Sequence, residues 1–279
     1  MFPPLSELLI GALGATVLAS ALGIALWPSI VAWRRGRVRR QPFPAKWRAA
    51  LKRHVPYVYL LPADLQLQLK KRIQVFIAEK PFIGCAGLEV TDEMRVVVAA
   101  QACMLLLNRA TDNFANLRQV LMYPGAFVVD RALPQAGGVL RDERHVLAGE
   151  SWSQGQVLLS WDDVLAGAAS VDDGRNVVMH EFAHQLDQAD GHANGAPPLP
   201  RGADSKRWRR VFDAEYNRLH RQLAQGESPL LGAYAATNPA EFFAVATEVF
   251  FEQPRLLADD SPSLFAELAA FYCVNPLTW

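Results

Sequence analysis

From Leu8 to Trp33 the chain reads LLIGALGATVLASALGIALWPSIVAW, with no charge and no sustained polar face. About 20 apolar residues in a helix cross a hydrocarbon core of roughly 30 Å, so the pattern predicts one transmembrane helix over residues 1–33. Pro28 and the small residues are tolerated in such a span. A soluble core helix would show a polar stripe, and a signal peptide would begin with bases; here the bases come after the apolar run. Beyond residue 54 the periodicity is that of a folded domain. In PADLQLQLKKRIQVFIAEK, residues 62–80, Leu65, Leu69, Ile73, Phe76 and Ile77 recur at helical spacing. FIGCAGLEV, residues 82–90, reads as a strand, and residues 92–108 as a second helix.

Short β-type runs follow, LRQVLMYP, GAFVVD and GQVLLSW, separated by Gly and Pro clusters such as LPQAGG. From Asp172 the pattern is helical again: one helix within residues 172–190, one over 203–223, one beginning at Asn238 or Pro239, and one over 263–271. GHANGAPPLPRG, residues 191–202, is a loop. No internal repeat is visible. The expectation is an α+β domain over residues 55–279, mainly helical around a small mixed sheet.

Charge refines this organisation. Residues 34–53 hold nine bases and no acid. Nine of the 28 bases and one of the 28 acids precede His54, so the rest carries 19 bases against 27 acids. Residues 34–54 therefore read as a basic juxtamembrane linker, able to rest on anionic headgroups. Bases flanking a span stay on the cytoplasmic side. The expected topology is a single-pass protein of the inner membrane, N-terminus outward, with everything from Arg34 in the cytoplasm. An acidic body without another dense run of bases argues against nucleic acid as a ligand. Cys85, Cys103 and Cys273 are too scattered for a disulfide framework or a CxxC knuckle.

Within NVVMHEFAHQLDQADG, residues 176–191, His180 and His184 lie four apart with Glu181 directly after the first. On a helix that spacing puts both imidazoles on one face, where they can share a metal ion. Glu181 sits beside them, close enough to act as general base on a water whose pKa zinc lowers. Val177, Val178, Phe182, Ala183 and Leu186 supply a buried stripe, and Gly191 a stop. The same letters also suit a plain amphipathic helix, and chance alone yields such a pattern in on the order of one chain in a hundred.

A catalytic zinc takes three protein ligands and keeps one position open. The HExxHxxGxxH continuation is absent, since Asp187 and Asp190 occupy its later places. The third ligand is therefore sought in AYAATNPAEFFAVATEVFFE, residues 233–252, where Asn238 can cap a helix with Pro239 in its first turn. Glu241 sits there among apolar neighbours, and a buried acid needs a partner. A helix N-terminus would also favour an acid there. Glu248 and Glu252 share the helix, and spacing alone leaves the choice open. Glu248 suits an acid that orients a ligating histidine.

MHEFAHQLD, AYAATNPAEFFAVATEVFF, LMYPGAFVVD and AGESWSQGQVLLSWDDV together resemble the MtfA family of bacterial zinc peptidases, the Mlc titration factors, over roughly residues 55–279. The resemblance implies a gluzincin-like α+β fold, related in its core to the catalytic domain of anthrax lethal factor. It implies that His180, His184 and Glu241 bind one Zn2+ and that Glu181 is the general base. Tyr234, seven residues before Glu241, would donate to the oxyanion of the tetrahedral intermediate. The implied activity is a peptidase of aminopeptidase type, acting on a peptide or protein substrate. The implied alternative is a regulatory protein that sequesters an Mlc-like repressor of sugar uptake. Two departures stand out. Some relatives have a histidine able to reach the metal where this chain has Arg141, with His145 four residues later, and the best-known members are soluble. His54, His192 and His220 read as surface residues, and Trp152 and Trp161 as core beside a strand.

Overall fold

The computed structural model describes residues 5–109, 113–134, 140–147, 149–152, 155–170 and 172–279. The chain forms two compact units, Met1–Pro42 and Phe43–Trp279. The first is a single helix, α1 (Leu5–Arg40), with Pro28 inside it and Arg37, Arg39 and Arg40 in its last turn. Its stretch Thr16–Arg40 is long and apolar enough to cross a membrane and is unburied in the protein itself. Near its end the Arg37 guanidinium lies 5.2 Å from the centre of the Trp33 ring.

The second unit begins earlier than expected. Residues assigned above to the linker form α2 (Ala45–His54), whose Ala50 and Leu51 are buried. Ala50 and Leu51 anchor it with Trp47 packed partly buried beside them, and its bases stay outward, which is why its composition resembles a linker. Next come α3 (Ala63–Glu79), β1 (Phe82–Gly84) and α4 (Asp92–Met104). The strand expected over 82–90 stops at Gly84 because Ala86 and Gly87 take positive φ values. Thr91 caps α4 by accepting the Met94 N–H. The helix is buried from Val96 to Met104, and the chain leaves it in turns rather than continuing helical to residue 108.

The sheet is built from β2 (Gln119–Tyr123), a hairpin of β3 (Phe127–Pro134) and β4 (Leu140–Leu147), then β5 (Gly149–Trp152) and β6 (Gln156–Ser160). Four strands pair in the order β1-β2-β6-β5, and the hairpin pairs only with itself among the described strands. The first three are parallel, while β5 runs antiparallel along β6, Gly149 opposite Leu159. Parallel strands need crossovers, and α4 lies within the one between β1 and β2.

Then follow α5 (Trp161–Ala169), α6 (Val177–Asp187), α7 (Ser205–Ala224), α8 (Pro239–Glu252), α9 (Pro254–Asp260) and α10 (Pro262–Tyr272). Each of the last three opens with proline in its first turn, where a missing N–H is harmless. α6 packs against α8, α4, α5 and β5. Two aromatic groups fill the core. Phe76, Phe114 and Phe182 meet between α3 and α6, and Trp208, stacked on Phe212 at 4.0 Å, joins Phe243 and Phe271 between α7, α8 and α10. At about 150–250 Å² buried per ring, the first cluster fixes α6 against α3 and the second fixes α8 against α7 and α10, while α6 and α8 pack directly on one another.

Candidate metal centre

The start of α6 is tied into the protein. Asn176, fully buried, accepts the Met179 N–H through Oδ1 at 2.9 Å. Its Nδ2 donates to Gln101 Oε1 at 2.8 Å and to Glu252 Oε1 at 3.0 Å. Held at that end, α6 turns His180, Glu181 and His184 towards α8, each less than a tenth exposed. The start of α8 is fixed in the same way. Asn238 Oδ1 accepts the Glu241 N–H at 3.0 Å, so the Glu241 carboxylate lies in the first turn.

Helix α6, through His180 near its start and His184 in its last turn, and the first turn of α8 bring three atoms together. His180 Nε2 is 3.0 Å from Glu241 Oε2 and 3.2 Å from His184 Nε2, and His184 Nε2 is 3.5 Å from the same carboxylate oxygen. His180, His184 and Glu241 each offer one ligand atom within 4.8 Å of the others. Glu248, two turns along α8, turns to the far side of His180, its Oε1 2.7 Å from Nδ1, while Oε2 accepts the Asn176 N–H. Glu252 Oε1 instead accepts from the Asn176 amide. The three acids of α8, which spacing left as rivals, thus occupy three different places.

The chemistry of this donor set fits a cation. When neutral, with its Nδ1 proton directed at Glu248, His180 presents a lone pair from Nε2 to a carboxylate and to a second imidazole nitrogen. Acceptors facing one another at this distance in a buried place need a shared positive charge. Two nitrogens and one oxygen are a donor set typical of catalytic zinc.

In the protein alone, burial opposes charge on Glu241, His180, Glu181 and Glu252. It would raise the Glu241 carboxyl, but hydrogen bonds from His180 and His184 hold it well below the usual range. Burial would lower His180, and Glu241 and Glu248 raise it instead. Burial pushes Glu181 up to about 7 and Glu252 up to about 8. A carboxyl poised near neutrality suits proton transfer at ordinary pH.

Glu181 also has a neighbour that the sequence alone did not flag. A Cβ on Gly149, at the start of β5, would come 2.8 Å from Cγ and Oε1 of Glu181 and 2.6 Å from Val177. Tyr234 opens a short 3₁₀ turn, Tyr234–Ala236, is 60% exposed, and holds its ring 5.9 Å from that of His180. Gly149, His180, Glu181 and Tyr234 all line a cleft of about 920 Å³. Leu230, Leu231, Val245 and Val249 make an apolar wall of that cleft, with Asp163, Asp173 and Arg175 also on its lining.

A model of the family described as glucose-regulated metallo-peptidase M90 matches residues 30–273. The chain belongs to the M90 metallopeptidase family. M90 relatives include the Synechocystis protein slr2042, 40% identical over 268 residues, covering 94% of this chain and 98% of that one. Mlc titration factor A of Escherichia fergusonii is 32% identical over 254 residues, covering 90% and 92%. Its counterpart from Klebsiella pneumoniae is 33% identical over 234 residues, covering 83% and 86%. Membership of the M90 family implies a metal ion, and the group His180, His184 and Glu241 is where this chain could hold one.

The remaining histidines of this M90 chain lie elsewhere. His54 is half-buried and 2.9 Å from Glu93, a more integrated place than the surface expected of it. His192 and His220 are exposed. Trp161 packs partly buried against the core. The side chains of Arg141, His145 and Trp152 lie outside the described residues. Gly149 and Asn176 carry little sequence signal, because their importance rests on what they touch across the fold.

Proposed function

We propose that this chain is a zinc-dependent peptidase in which His180, His184 and Glu241 hold the ion and Glu181 is the general base. The observation that carries this reading is the convergence of two Nε2 atoms and one carboxylate oxygen beside a buried glutamate, next to a cleft large enough for a peptide that His180 and Glu181 line. When bound, the zinc supplies a Lewis acid that polarises the scissile carbonyl and acidifies water. Glu181 takes the proton of the attacking water on a carboxylate oxygen and passes it to the departing amine nitrogen. Gly149 leaves the room in which that carboxylate sits. Glu248 keeps the proton on His180 Nδ1, which directs Nε2 into the centre. Tyr234, at the mouth, swings its phenol O–H onto the oxyanion of the tetrahedral intermediate.

The substrate is a peptide or protein and the activity is of aminopeptidase type. The apolar wall of Leu230, Leu231, Val245 and Val249 favours a hydrophobic side chain beside the scissile bond. α1 anchors the chain in the inner membrane as a single pass, with the second unit in the cytoplasm.

A second reading draws on the name of the relatives: binding of an Mlc-like transcriptional repressor, with or without cleavage. A pure binder has no use for Glu181, so Glu181→Gln separates the two. Chromogenic amino-acid and peptide substrates should be hydrolysed about 10²–10⁴-fold more slowly, with zinc content and repressor binding retained. An unchanged hydrolysis rate would remove the proposed mechanism.

A further inference from the structure

We propose that Asp187 is a positioning residue for His184, accepting the proton on Nδ1 through one buried water while its other oxygen braces the start of α8. This rests on the reading of His180, His184 and Glu241 as metal ligands.

A neutral imidazole ligates through one nitrogen and carries its proton on the other, and the acceptor for that proton fixes both tautomer and ring orientation. For His180 the acceptor is Glu248, 2.7 Å from Nδ1. His184 directs Nε2 at the other two ligand atoms, so its Nδ1 needs an equivalent. Among the described residues this buried Nδ1 has no partner, and neither has Oδ1 of Asp187. Asp187 is fully buried and lies three residues along α6, a spacing that puts the two side chains on one face. A buried donor and a buried acceptor, both unpaired and less than a turn apart, are the setting in which an internal water bridges polar groups.

The second oxygen of Asp187 has its own task. Oδ2 accepts the Gly195 N–H at 2.8 Å. Gly195 has φ +73°, and a Cβ there would lie 2.3 Å from the Pro239 carbonyl oxygen. Its backbone therefore sits directly on the first residue of α8, two positions before Glu241. Trp208 Nε1 donates to the Gly195 carbonyl at 3.4 Å, holding the loop from its other side. One carboxylate thus ties the second imidazole to the helix start that presents the third ligand.

Asp187→Asn in the full-length chain separates the two tasks. Asparagine keeps an oxygen for the Gly195 N–H, but its amide offers a donor to His184, favouring the tautomer that places the proton on Nε2. The zinc dissociation constant, measured by chelator competition, should rise about 10–100-fold, as it should for Glu248→Gln. The unfolding temperature of the zinc-free protein should stay near that of the parent. A variant that binds zinc within about twofold of the parent overturns the inference, since an anchor for Gly195 alone would survive the change. Should the variant not fold, imidazole 1H–15N correlations of the zinc-loaded parent decide. A slowly exchanging His184 Nδ1 proton supports the proposal, and a rapidly exchanging or absent one overturns it. A parent chain that takes up no zinc overturns the metal reading and this inference together, whereas normal zinc uptake with an unaltered variant sinks the inference alone.

Discussion

At the scale of single residues, the centre depends on groups whose protons are controlled by buried neighbours. Gly149 is a sensitive position because a methyl group there would overlap both Val177 and the Glu181 carboxylate. Gly149→Ala should lower kcat by about tenfold or more while zinc content, measured by metal analysis, stays at one per chain. On the proposed mechanism Tyr234→Phe removes one donor to the oxyanion; kcat should fall about 10²–10³-fold with KM little changed, in steady-state assays. Glu252 offers a test by pH. Burial pushes its carboxyl up to about 8 against an ordinary 4.5, so between those values the folded state keeps a proton that the unfolded chain releases. Folding is therefore progressively disfavoured as pH rises through that window. Glu252→Gln removes the titration, and its unfolding temperature relative to the parent should climb from pH 5 to pH 8. A constant difference would place that carboxyl in a less buried setting.

At the scale of elements, the candidate ligands come from both ends of α6 and from the first turn of α8, and the caps Asn176 and Asn238 fix where those helices begin. Asn238 holds Glu241 in the first turn of α8 through one hydrogen bond. Replacing it with Ala should cost about 1 kcal/mol of stability and also weaken zinc binding, because the carboxylate loses its fixed origin. Calorimetry and chelator competition read the two effects separately. Asn176 has a wider role, since its amide joins α4, α6 and α8 through Gln101, Met179 and Glu252. The helices were legible in the sequence to different degrees. α8 showed its cap and proline openly, and residues 205–224 show a clear amphipathic stripe. α2 was hidden because its surface is basic and only two of its residues are buried. The strand expected over 82–90 was cut short by a left-handed turn at Ala86 and Gly87, where apolar letters serve loop packing instead of a ladder.

At the scale of the whole molecule, metal and fold should be linked. A buried group of two imidazoles and a carboxylate without a cation is a cost that the ion relieves. Chelation should lower the unfolding temperature, and zinc at about 100 times its dissociation constant should restore about 2.7 kcal/mol. A thermal scan indifferent to chelator would separate the site from the stability of the unit. The division of the chain at Pro42 leads to another expectation. Residues 43–279 should fold and bind zinc without α1, while the full-length chain should sediment with membranes and require detergent for release.

What the sequence determined by itself is local: the apolar run of α1, the spacing that puts His180 and His184 on one helix face, and the cap that opens α8. Those are properties of three to twenty neighbouring residues, governed by helical period and by backbone groups that need partners. Only the tertiary structure decided which acid of α8 meets the imidazoles, which one takes the Nδ1 proton, and that Gly149 and Asp187 border the centre. Such contacts join residues separated by more than thirty positions or depend on loop closure. They are set by how α6 packs against α8 and β5, which no local pattern records.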